Sequence, residues 1–415
     1  HRREFFQRMG WGAFACLAAG CAGRGAAGGR ARGQRLFFTS AGKTCLIESD
    51  GSGLRPLEFE VPNQATWQPG PFFSDGRRVI FLSMEPRRDG PGRPFEEYYT
   101  PTPTHLWLYD LDDESLTELA TKERREVFYT PQALLGDERM LVQVPRSPLG
   151  QVLSMNLDGS GARPFTKAGE GLPYGFSVSP DQRRVAFHLA SPQGYQIWTS
   201  DAEGGDRQCV AAHPDHLYFG PSWSPDGQWL LFQNCHFKAD PGHDASDLCL
   251  ARPDGSELRA LTQGQSHWFG AAYGNPKRRG SGSNMPAWTR EGQVLYSRLS
   301  PGARVAWEYQ TGQPDTDHFN RAWKPEKARG GTQICRLNPR DGAVTVLTPS
   351  EPPAWDFRAS ESPDGREIVF CRCATGETPA LWIIQRDGSG PRLLTRGLDD
   401  SGADHPRWLP GRGKN

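Results

Sequence analysis

Two kinds of tight turn recur along this chain, and their spacing constrains the fold more than any other feature. The clearest copy of the repeat runs from Trp223-Ser224-Pro225-Asp226-Gly227, through apolar stretches, to Asp254-Gly255-Ser256. Proline presets φ for a turn and glycine accepts a positive φ, so the chain reverses direction at both signatures. The copy predicts a four-stranded antiparallel meander, which is one blade of a β-propeller.

The turns predict the number of blades. The first kind recurs at Asp75-Gly76, Asp137, Asp181, Asp226-Gly227, Glu291-Gly292 and Asp364-Gly365. The second kind recurs at Asp50-Gly51, Asp112, Asp158-Gly159, Gly204-Gly205, Asp254-Gly255, Asp341-Gly342 and Asp387-Gly388. The missing first turn lies at the C-terminal end, where residues 405–411 start a blade, and the missing innermost strand lies before Arg35. We therefore predict an all-β chain whose residues 34–415 form a single seven-bladed propeller, closed by pairing of the N- and C-terminal strands so that no sheet edge stays open.

The N-terminal residues predict export. Arg2-Arg3-Glu4-Phe5-Phe6 is a twin-arginine pattern, and the apolar stretch after it is too short to span a bilayer. Cys21 ends a sequence that resembles a lipoprotein cleavage box. We expect residues 1–22 to be the export signal, residues 23–33 to be a flexible tether, and the protein to be periplasmic or lipid-anchored at the cell envelope.

Composition excludes some partners. Lys plus Arg and Asp plus Glu number 48 each, so no net field recruits nucleic acid, and a lipid on Cys21 would be the only membrane contact. We expect a monomer. Among the cysteines, Cys235 and Cys249 flank one loop and are candidates for a disulfide, whereas Cys371 and Cys373 are expected in the core.

The long loops are predicted to share one face of the propeller. In a meander blade, the loops between the second and third strands and between blades open opposite to the tight turns. The long loops fall at residues 84–104, 234–247, 263–284 and 300–332. We call this side the long-loop face; long loops often carry function, and the nine histidines after the signal are predicted on or beside it.

Several of these histidines are candidate metal ligands. His236 and His243 alternate with Asp240, Asp244 and Asp247, which is a donor set that suits Mn or Zn. The other two candidate ligands are His267 and His405. We predict that His216, His236, His267 and His405 open onto one central pocket, although a histidine at such positions also serves as a turn cap or a solvated loop residue.

Two loops mix aromatic rings with cations. They are residues 273–280, which contain Arg279, and the segments 307–309 and 317–324, the second of which contains Arg321. This mixture suits an acidic oligosaccharide, because a sugar ring stacks on an aromatic side chain while its carboxylate takes a bidentate arginine. Packing of the loops against each other is the alternative reading.

The Ser-Pro-Asp-Gly and Asp-Gly-Ser-Gly signatures resemble the TolB-like propeller repeat over residues 35–410. The resemblance implies the fold and little about function, because such propellers serve as scaffolds and as enzymes. The placement of His216 and His236 around one blade is also similar to oligogalacturonate lyases, which are seven-bladed propellers with a histidine-bound metal over the channel. Asp404-His405-Pro406 resembles that family's late metal motif, but it has one histidine where the family has two.

Two functions follow as hypotheses. The first is a metal-assisted carbon-oxygen lyase acting on uronates, with His216 as the base beside Tyr218 and with Arg279 or Arg321 holding the carboxylate. The second is a non-catalytic TolB-like binding or scaffold protein that docks a protein or peptidoglycan partner. A serine hydrolase is disfavoured, because the sequence has no Gly-x-Ser-x-Gly elbow.

Overall fold

A computed structural model describes residues 34–64, 66–85, 103–122, 129–144, 150–191, 194–214, 216–235, 245–268, 284–309, 321–349, 354–398 and 401–411. Within these residues the chain forms 31 β-strands and one 3-10 turn, Pro325–Lys327. The all-β prediction is therefore confirmed.

The strands are short and follow one another closely. The first half of the chain contains β1 (Arg35–Ser40), β2 (Lys43–Glu48), β3 (Arg55–Pro56), β4 (Thr66–Phe72), β5 (Arg78–Met84), β6 (Thr104–Asp110), β7 (Leu116–Leu119), β8 (Thr130–Leu135), β9 (Arg139–Val144), β10 (Gln151–Asn156), β11 (Arg163–Pro164), β12 (Leu172–Val178), β13 (Arg184–Ser191), β14 (Gly194–Asp201) and β15 (Gln208–Ala211). The second half contains β16 (Leu217–Trp223), β17 (Leu230–Cys235), β18 (Ala245–Ala251), β19 (Arg259–Ala260), β20 (Ser266–His267), β21 (Ala287–Trp288), β22 (Val294–Leu299), β23 (Trp307–Tyr309), β24 (Arg321–Trp323), β25 (Thr332–Leu337), β26 (Val344–Val346), β27 (Trp355–Glu361), β28 (Glu367–Cys373), β29 (Ala380–Gln385), β30 (Arg392–Leu393) and β31 (Asp404–Trp408).

Most sheets are consecutive antiparallel meanders. Three of them run in the orders β4-β5-β6-β7, β8-β9-β10-β11 and β27-β28-β29-β30. The largest sheet contains the meanders β12–β15 and β16–β19, then β21, β22, β25 and β26, while β20 joins β18 to β22. The short turns of the repeat lie between the strands, as the sequence predicts.

The two ends of the described chain share one sheet, in the order β3-β2-β1-β31. Strand β31 pairs antiparallel with β1, with Leu36 opposite Trp408 and Phe37 opposite Arg407. The amide of Leu409 donates to the carbonyl of Arg35 at 2.9 Å and continues this pairing. Residues near the C-terminus thus supply the innermost strand of the sheet that begins at Arg35, as the two missing elements of the repeat predict.

Tryptophans connect consecutive meanders near their innermost strands. Each indole N–H donates to a serine carbonyl on the innermost strand of the preceding meander, so one side chain both packs its apolar surface and satisfies a backbone carbonyl. The three bonds join Trp223 to Ser177 at 3.0 Å, Trp288 to Ser222 at 3.2 Å and Trp408 to Ser360 at 3.1 Å.

The disulfide predicted between Cys235 and Cys249 is not formed. Cys249 lies opposite Phe232 in the pairing of β17 with β18, whereas Cys235 lies opposite Ser246, so the two thiols occupy different positions along the ladder. Cys249 is a buried free thiol. Cys371 and Cys373 are buried, as predicted.

Some turn glycines of the second kind touch the preceding sheet, which explains why glycine is needed there. Gly159 has a φ of 93°, and an added Cβ would lie 2.5 Å from the carbonyl oxygen of Lys122 and 2.9 Å from the Cα of Ala120. Gly342 has a φ of 75° in an equivalent turn, and an added Cβ would meet nothing within 4 Å. The two positions share the backbone conformation and differ in the space around it.

We expect Gly159→Ala to destabilise the protein more than its matched control, Gly342→Ala. The control should cost about 1 kcal/mol, because only the positive φ is penalised. Gly159→Ala adds a clash with backbone atoms, so its total should reach about 2–4 kcal/mol. Urea unfolding of both variants measures the difference, and equal losses would show that this turn does not pack against its neighbour.

Candidate functional site

Five innermost strands carry the same two-residue β-bulge, and it marks the best candidate site. The register shifts at the same place in β4, β12, β16, β27 and β31. The first bulged residue of β4 is Gly70, with a φ of 111°, and the other four share a left-handed φ: 64° at Gly175, 65° at Gly220, 54° at Arg358 and 56° at His405. Glycine adopts this conformation readily, whereas a residue with a Cβ is strained there by about 1–3 kcal/mol.

The strained positions therefore carry side chains where the repeat tolerates glycine. Innermost strands surround the central channel of a propeller. Strain that persists in a folded protein is concentrated at binding and catalytic sites. Arg358 and His405, with their neighbours Asp404, Arg407 and Cys371, are the residues we call the axial site.

A buried ion pair forms the base of the axial site. Nη1 of Arg358 lies 2.5 Å and 2.6 Å from the two carboxylate oxygens of Asp404, and the two side chains are 7% and 8% exposed. Asp404 also accepts a hydrogen bond from the Cys371 thiol at 3.2 Å and from the backbone N–H of His405 at 2.7 Å. The carboxylate is thus shared by three donors that hold it in place.

Electrostatics fix the protonation of this base. Burial alone would raise the pKa of Asp404, but Arg358 and His405 outweigh it and hold the pKa below its ordinary value. Burial raises the pKa of the Cys371 thiol well above its ordinary value, and the charge of Asp404 adds to the rise. Asp404 is therefore an anion and Cys371 a thiol at neutral pH.

Asn284 connects the axial site to His267. Its side-chain oxygen accepts a hydrogen bond from the Arg358 backbone N–H at 2.7 Å, and its side-chain nitrogen donates to the His267 carbonyl at 2.5 Å. His267 is 1% exposed, and its ring lies 6.0 Å from the ring of Trp355. Asn284 thus supports the strained backbone of Arg358, and the described contacts place the His267 ring in the core.

His405 is neutral at physiological pH. Burial, followed by the charges of Arg358 and Arg407, lowers its pKa to about 4. Its side chain is nevertheless 37% exposed. The ring is therefore close to buried charges and is still reached by water.

We expect His405→Gly to stabilise the protein by about 1 kcal/mol at neutral pH, because glycine removes the strain of a positive φ. A histidine whose pKa falls from 6.5 to about 4 on folding loses stability as the pH drops from 6.5 towards 4, since the unfolded chain binds the proton first. The variant should therefore be less acid-sensitive over that range. Thermal unfolding at several pH values measures both effects, and a variant that is less stable at neutral pH would contradict the strain argument.

The candidate base His216 lies in a second cluster, at the start of β16. Its Nδ1 is 2.9 Å from the Tyr218 hydroxyl and 3.2 Å from the Asn234 side-chain nitrogen, and its ring is 4.1 Å from that of His213. Burial raises the pKa of Tyr218 to about 12, so the phenol keeps its proton. The hydroxyl and the amide both lie within hydrogen-bond distance of Nδ1, so this nitrogen of His216 is held by protein groups.

Some of the predicted site residues are in contact in the structure, and others lie outside the described residues. His216 and Tyr218 are in contact, and His267 is linked to Arg358 through Asn284. His236, His243 and Arg279 lie outside the described residues, and Arg321 is described only as backbone, opposite Tyr309 in the hairpin of β23 and β24. Among the described residues, no three His, Cys, Asp or Glu side chains are grouped to hold a metal. The four-histidine metal site therefore remains a prediction.

Sequence reasoning missed Arg358, Arg407 and Asn284. The signal was available in the alignment of the innermost strands. Tyr174-Gly175-Phe176 and Phe219-Gly220-Pro221 align there with Phe357-Arg358-Ala359 and Asp404-His405-Pro406. An arginine and a histidine at a glycine position mark the site.

No protein-family model and no curated protein sequence match this chain. No helix in the described part of the chain is both long and apolar enough to cross a membrane.

Solved structures match by fold. A putative TolB from Agrobacterium tumefaciens shares 13% identity over 91% of this chain and 99% of its own, with a TM-score of 0.44. A puromycin hydrolase mutant complexed with PGG shares 12% identity over 88% of this chain and 52% of its own, with a TM-score of 0.56. A puromycin-hydrolysing peptidase of Mycobacterium tuberculosis shares 12% identity over 86% of this chain and 49% of its own, with a TM-score of 0.54.

The chain spans about half the length of the two hydrolases. At this identity the likeness concerns the fold alone. The chain is a β-propeller protein, and its neighbours among solved structures include TolB proteins and puromycin hydrolases.

Proposed function

We propose that this protein is an exported, non-catalytic binding propeller of seven blades, which receives its partner at the axial site. Seven four-stranded units can be assigned along the chain, the first from β31, β1, β2 and β3 and the sixth from β21, β22, β25 and β26. Two contacts support a closed ring. Trp408 bonds to Ser360 of the last unit, and Arg407 bonds to Pro69 of the second unit.

The observation that carries the proposal is the strain at the axis. Arg358 and His405 keep a positive φ that Gly175 and Gly220 adopt without cost. Glycine at all four positions would give the fold the lowest backbone strain. A functional need for these two side chains explains the difference: Arg358 fixes Asp404, and His405 is reached by water. Polar groups held in this way are suited to recognition.

The environment of the candidate catalytic groups favours binding over β-elimination. A general base needs a free nitrogen with a pKa near the working pH. His216 has its Nδ1 engaged by Tyr218 and Asn234, which leaves only Nε2 for this role, and the Tyr218 phenol, with a pKa of about 12, keeps its proton and cannot accept another. Arg358 forms an ion pair with Asp404. Its guanidinium is therefore not available to neutralise the carboxylate of a substrate during β-elimination.

An assay for unsaturated products separates the two functions. The mature protein would be analysed for bound Mn and Zn, then incubated with polygalacturonate, alginate and hyaluronan while ultraviolet absorbance records any unsaturated uronate. We expect no product from any polymer, with or without added metal. Product formation that His216→Ala abolishes would establish the lyase and overturn the binding function.

Binding is tested with the same polymers and an axial-site variant. Arg358→Gly with Asp404→Asn replaces the ion pair by the glycine of the other bulges and leaves no buried charge. We expect this double variant to fold, and to lose affinity for whichever polymer the wild-type protein retains in affinity electrophoresis. Equal retention by both proteins would move the binding site away from the axis.

A further inference from the structure

Arg407 is a cation of the innermost strand β31 without an ion-pair partner in the described part of the chain. Its side chain is exposed, and its hydrogen bond runs from Nη1 to the carbonyl of Pro69 at 3.0 Å. A guanidinium has five N–H donors in a fixed fork. One N–H of this guanidinium donates to the Pro69 carbonyl, and the remaining N–H groups are available to a ligand.

The backbone of the second unit makes room for this guanidinium. Gly70 has a φ of 111°, and an added Cβ would lie 2.9 Å from Nη1 of Arg407. A side chain at this position would press on the end of the arginine, so Gly70 lets the guanidinium lie against Pro69 undisturbed. The bond to Pro69 restrains a long, flexible side chain, which lowers the entropy lost on binding.

Three of the other innermost strands have a serine at the position of Arg407, whereas β4 has Phe72 there. Ser177, Ser222 and Ser360 follow the bulge as Arg407 does, each after the same two bulged residues. Neither serine nor phenylalanine carries a charge, so the repeat does not require an arginine at this position.

The charges around Arg407 do not balance. The nearby cation Arg358 takes both oxygens of Asp404. Asp404 is thus already neutralised, and the positive charge of Arg407 has no carboxylate within the ion-pair distance among the described residues. Two cations lie close together here with one carboxylate between them, and this excess of positive charge attracts an anion.

We propose that Arg407 binds the carboxylate of a ligand that enters the central channel. The proposal rests on the binding function proposed above and names the chemistry that the axial site recognises. A carboxylate fits the free edge of the guanidinium through two parallel N–H···O bonds. A uronic acid and the free C-terminus of a peptide both supply this group.

Isothermal titration of the full mature protein tests the proposal with four probes. They are galacturonate, its methyl ester, trialanine with a free C-terminus and trialanine with an amidated C-terminus. The variants are Arg407→Ser, which copies the residue of the other strands, and Arg407→Lys, which keeps the charge and loses the fork. Arg183→Ser removes an exposed arginine from a tight turn and is the matched control.

We expect the wild-type protein and Arg183→Ser to bind at least one free carboxylate and to discriminate against its neutral partner. Arg407→Ser should weaken that binding about 10- to 100-fold, the range for losing a charge-assisted bidentate pair, and Arg407→Lys should fall between. Preference for galacturonate or for trialanine identifies the source of the carboxylate. Circular dichroism confirms that each variant is folded.

Two results would overturn the proposal. Wild-type protein that binds neither carboxylate, or that binds acid and neutral forms equally, has no carboxylate site. Unchanged affinity in Arg407→Ser places the carboxylate elsewhere. Either result leaves the binding function standing if the polymers are still retained, whereas formation of unsaturated uronate overturns that function independently of Arg407.

Discussion

A chain that ends before Ser401 is expected to lose on the order of 5 kcal/mol of unfolding free energy. The truncation removes β31, and with it the buried side chain of Leu409 and the partner of β1. It also removes Asp404 and leaves Arg358 as a buried cation without its carboxylate. Finally, it opens β1 as an edge strand, which invites aggregation.

A chain that ends at Gly411 is the control for this truncation, because it keeps every described strand. Chemical unfolding followed by circular dichroism measures the loss, and light scattering measures the aggregation. If both chains unfolded at the same denaturant concentration, the shared sheet of β31 and β1 would not contribute to stability.

Asp404→Asn is expected to lower the free energy of unfolding by about 3–5 kcal/mol, because it strands the charge of Arg358 in a buried site. Adding Arg358→Gly should recover most of this loss, since it removes both the unpaired cation and the strain of its positive φ. Urea unfolding of the wild type, both single variants and the double variant forms the cycle. Additive losses would show that the two side chains do not act as a pair.

The same pair predicts how stability depends on acid. The pKa of Asp404 is lower in the folded protein than in the unfolded chain, so its contribution is present above the unfolded value and is lost as the pH falls through the folded value. The Asp404→Asn variant has no carboxyl group to protonate at this position, so its stability should not fall with pH for this reason. The wild-type and variant stabilities should therefore converge as the solution is acidified below the ordinary pKa of an aspartate.

The sequence predicts the strands well because its turns are local. The Pro-Asp-Gly and Asp-Gly signatures fix where the chain reverses within a few residues, so the meanders follow without tertiary information. The missing turn and the missing strand also predict that residues 403–410 supply the innermost strand beside β1, and β31 pairs with β1 within that range.

The axial site could not be predicted in the same way, because its partners are distant in sequence. Arg358 and Asp404 are 46 residues apart, and only the order of the sheets brings them together. The bulge that gives Arg358 a positive φ changes no hydrophobic pattern. The candidate disulfide is absent for a related reason: Cys235 and Cys249 are close in sequence, but the register of β17 and β18 separates them.

The state of His216 also depends on a distant residue. Tyr218 is two positions away and was recognisable, whereas Asn234 reaches the same Nδ1 from the neighbouring strand, 18 residues later. A sequence shows that a histidine stands at a strand end. Whether it serves as a base, a ligand or a structural donor depends on contacts that the strand register decides.

A crystal structure of the mature protein tests the central claim most directly, namely that a shared first blade and its neighbour build a strained polar site at the axis. We predict seven four-stranded blades, β31 paired with β1, and a positive φ at both Arg358 and His405, with Arg407 accessible from the channel. Six or eight blades, a C-terminal strand apart from β1, or a relaxed backbone at both residues with their side chains away from the axis would contradict the account.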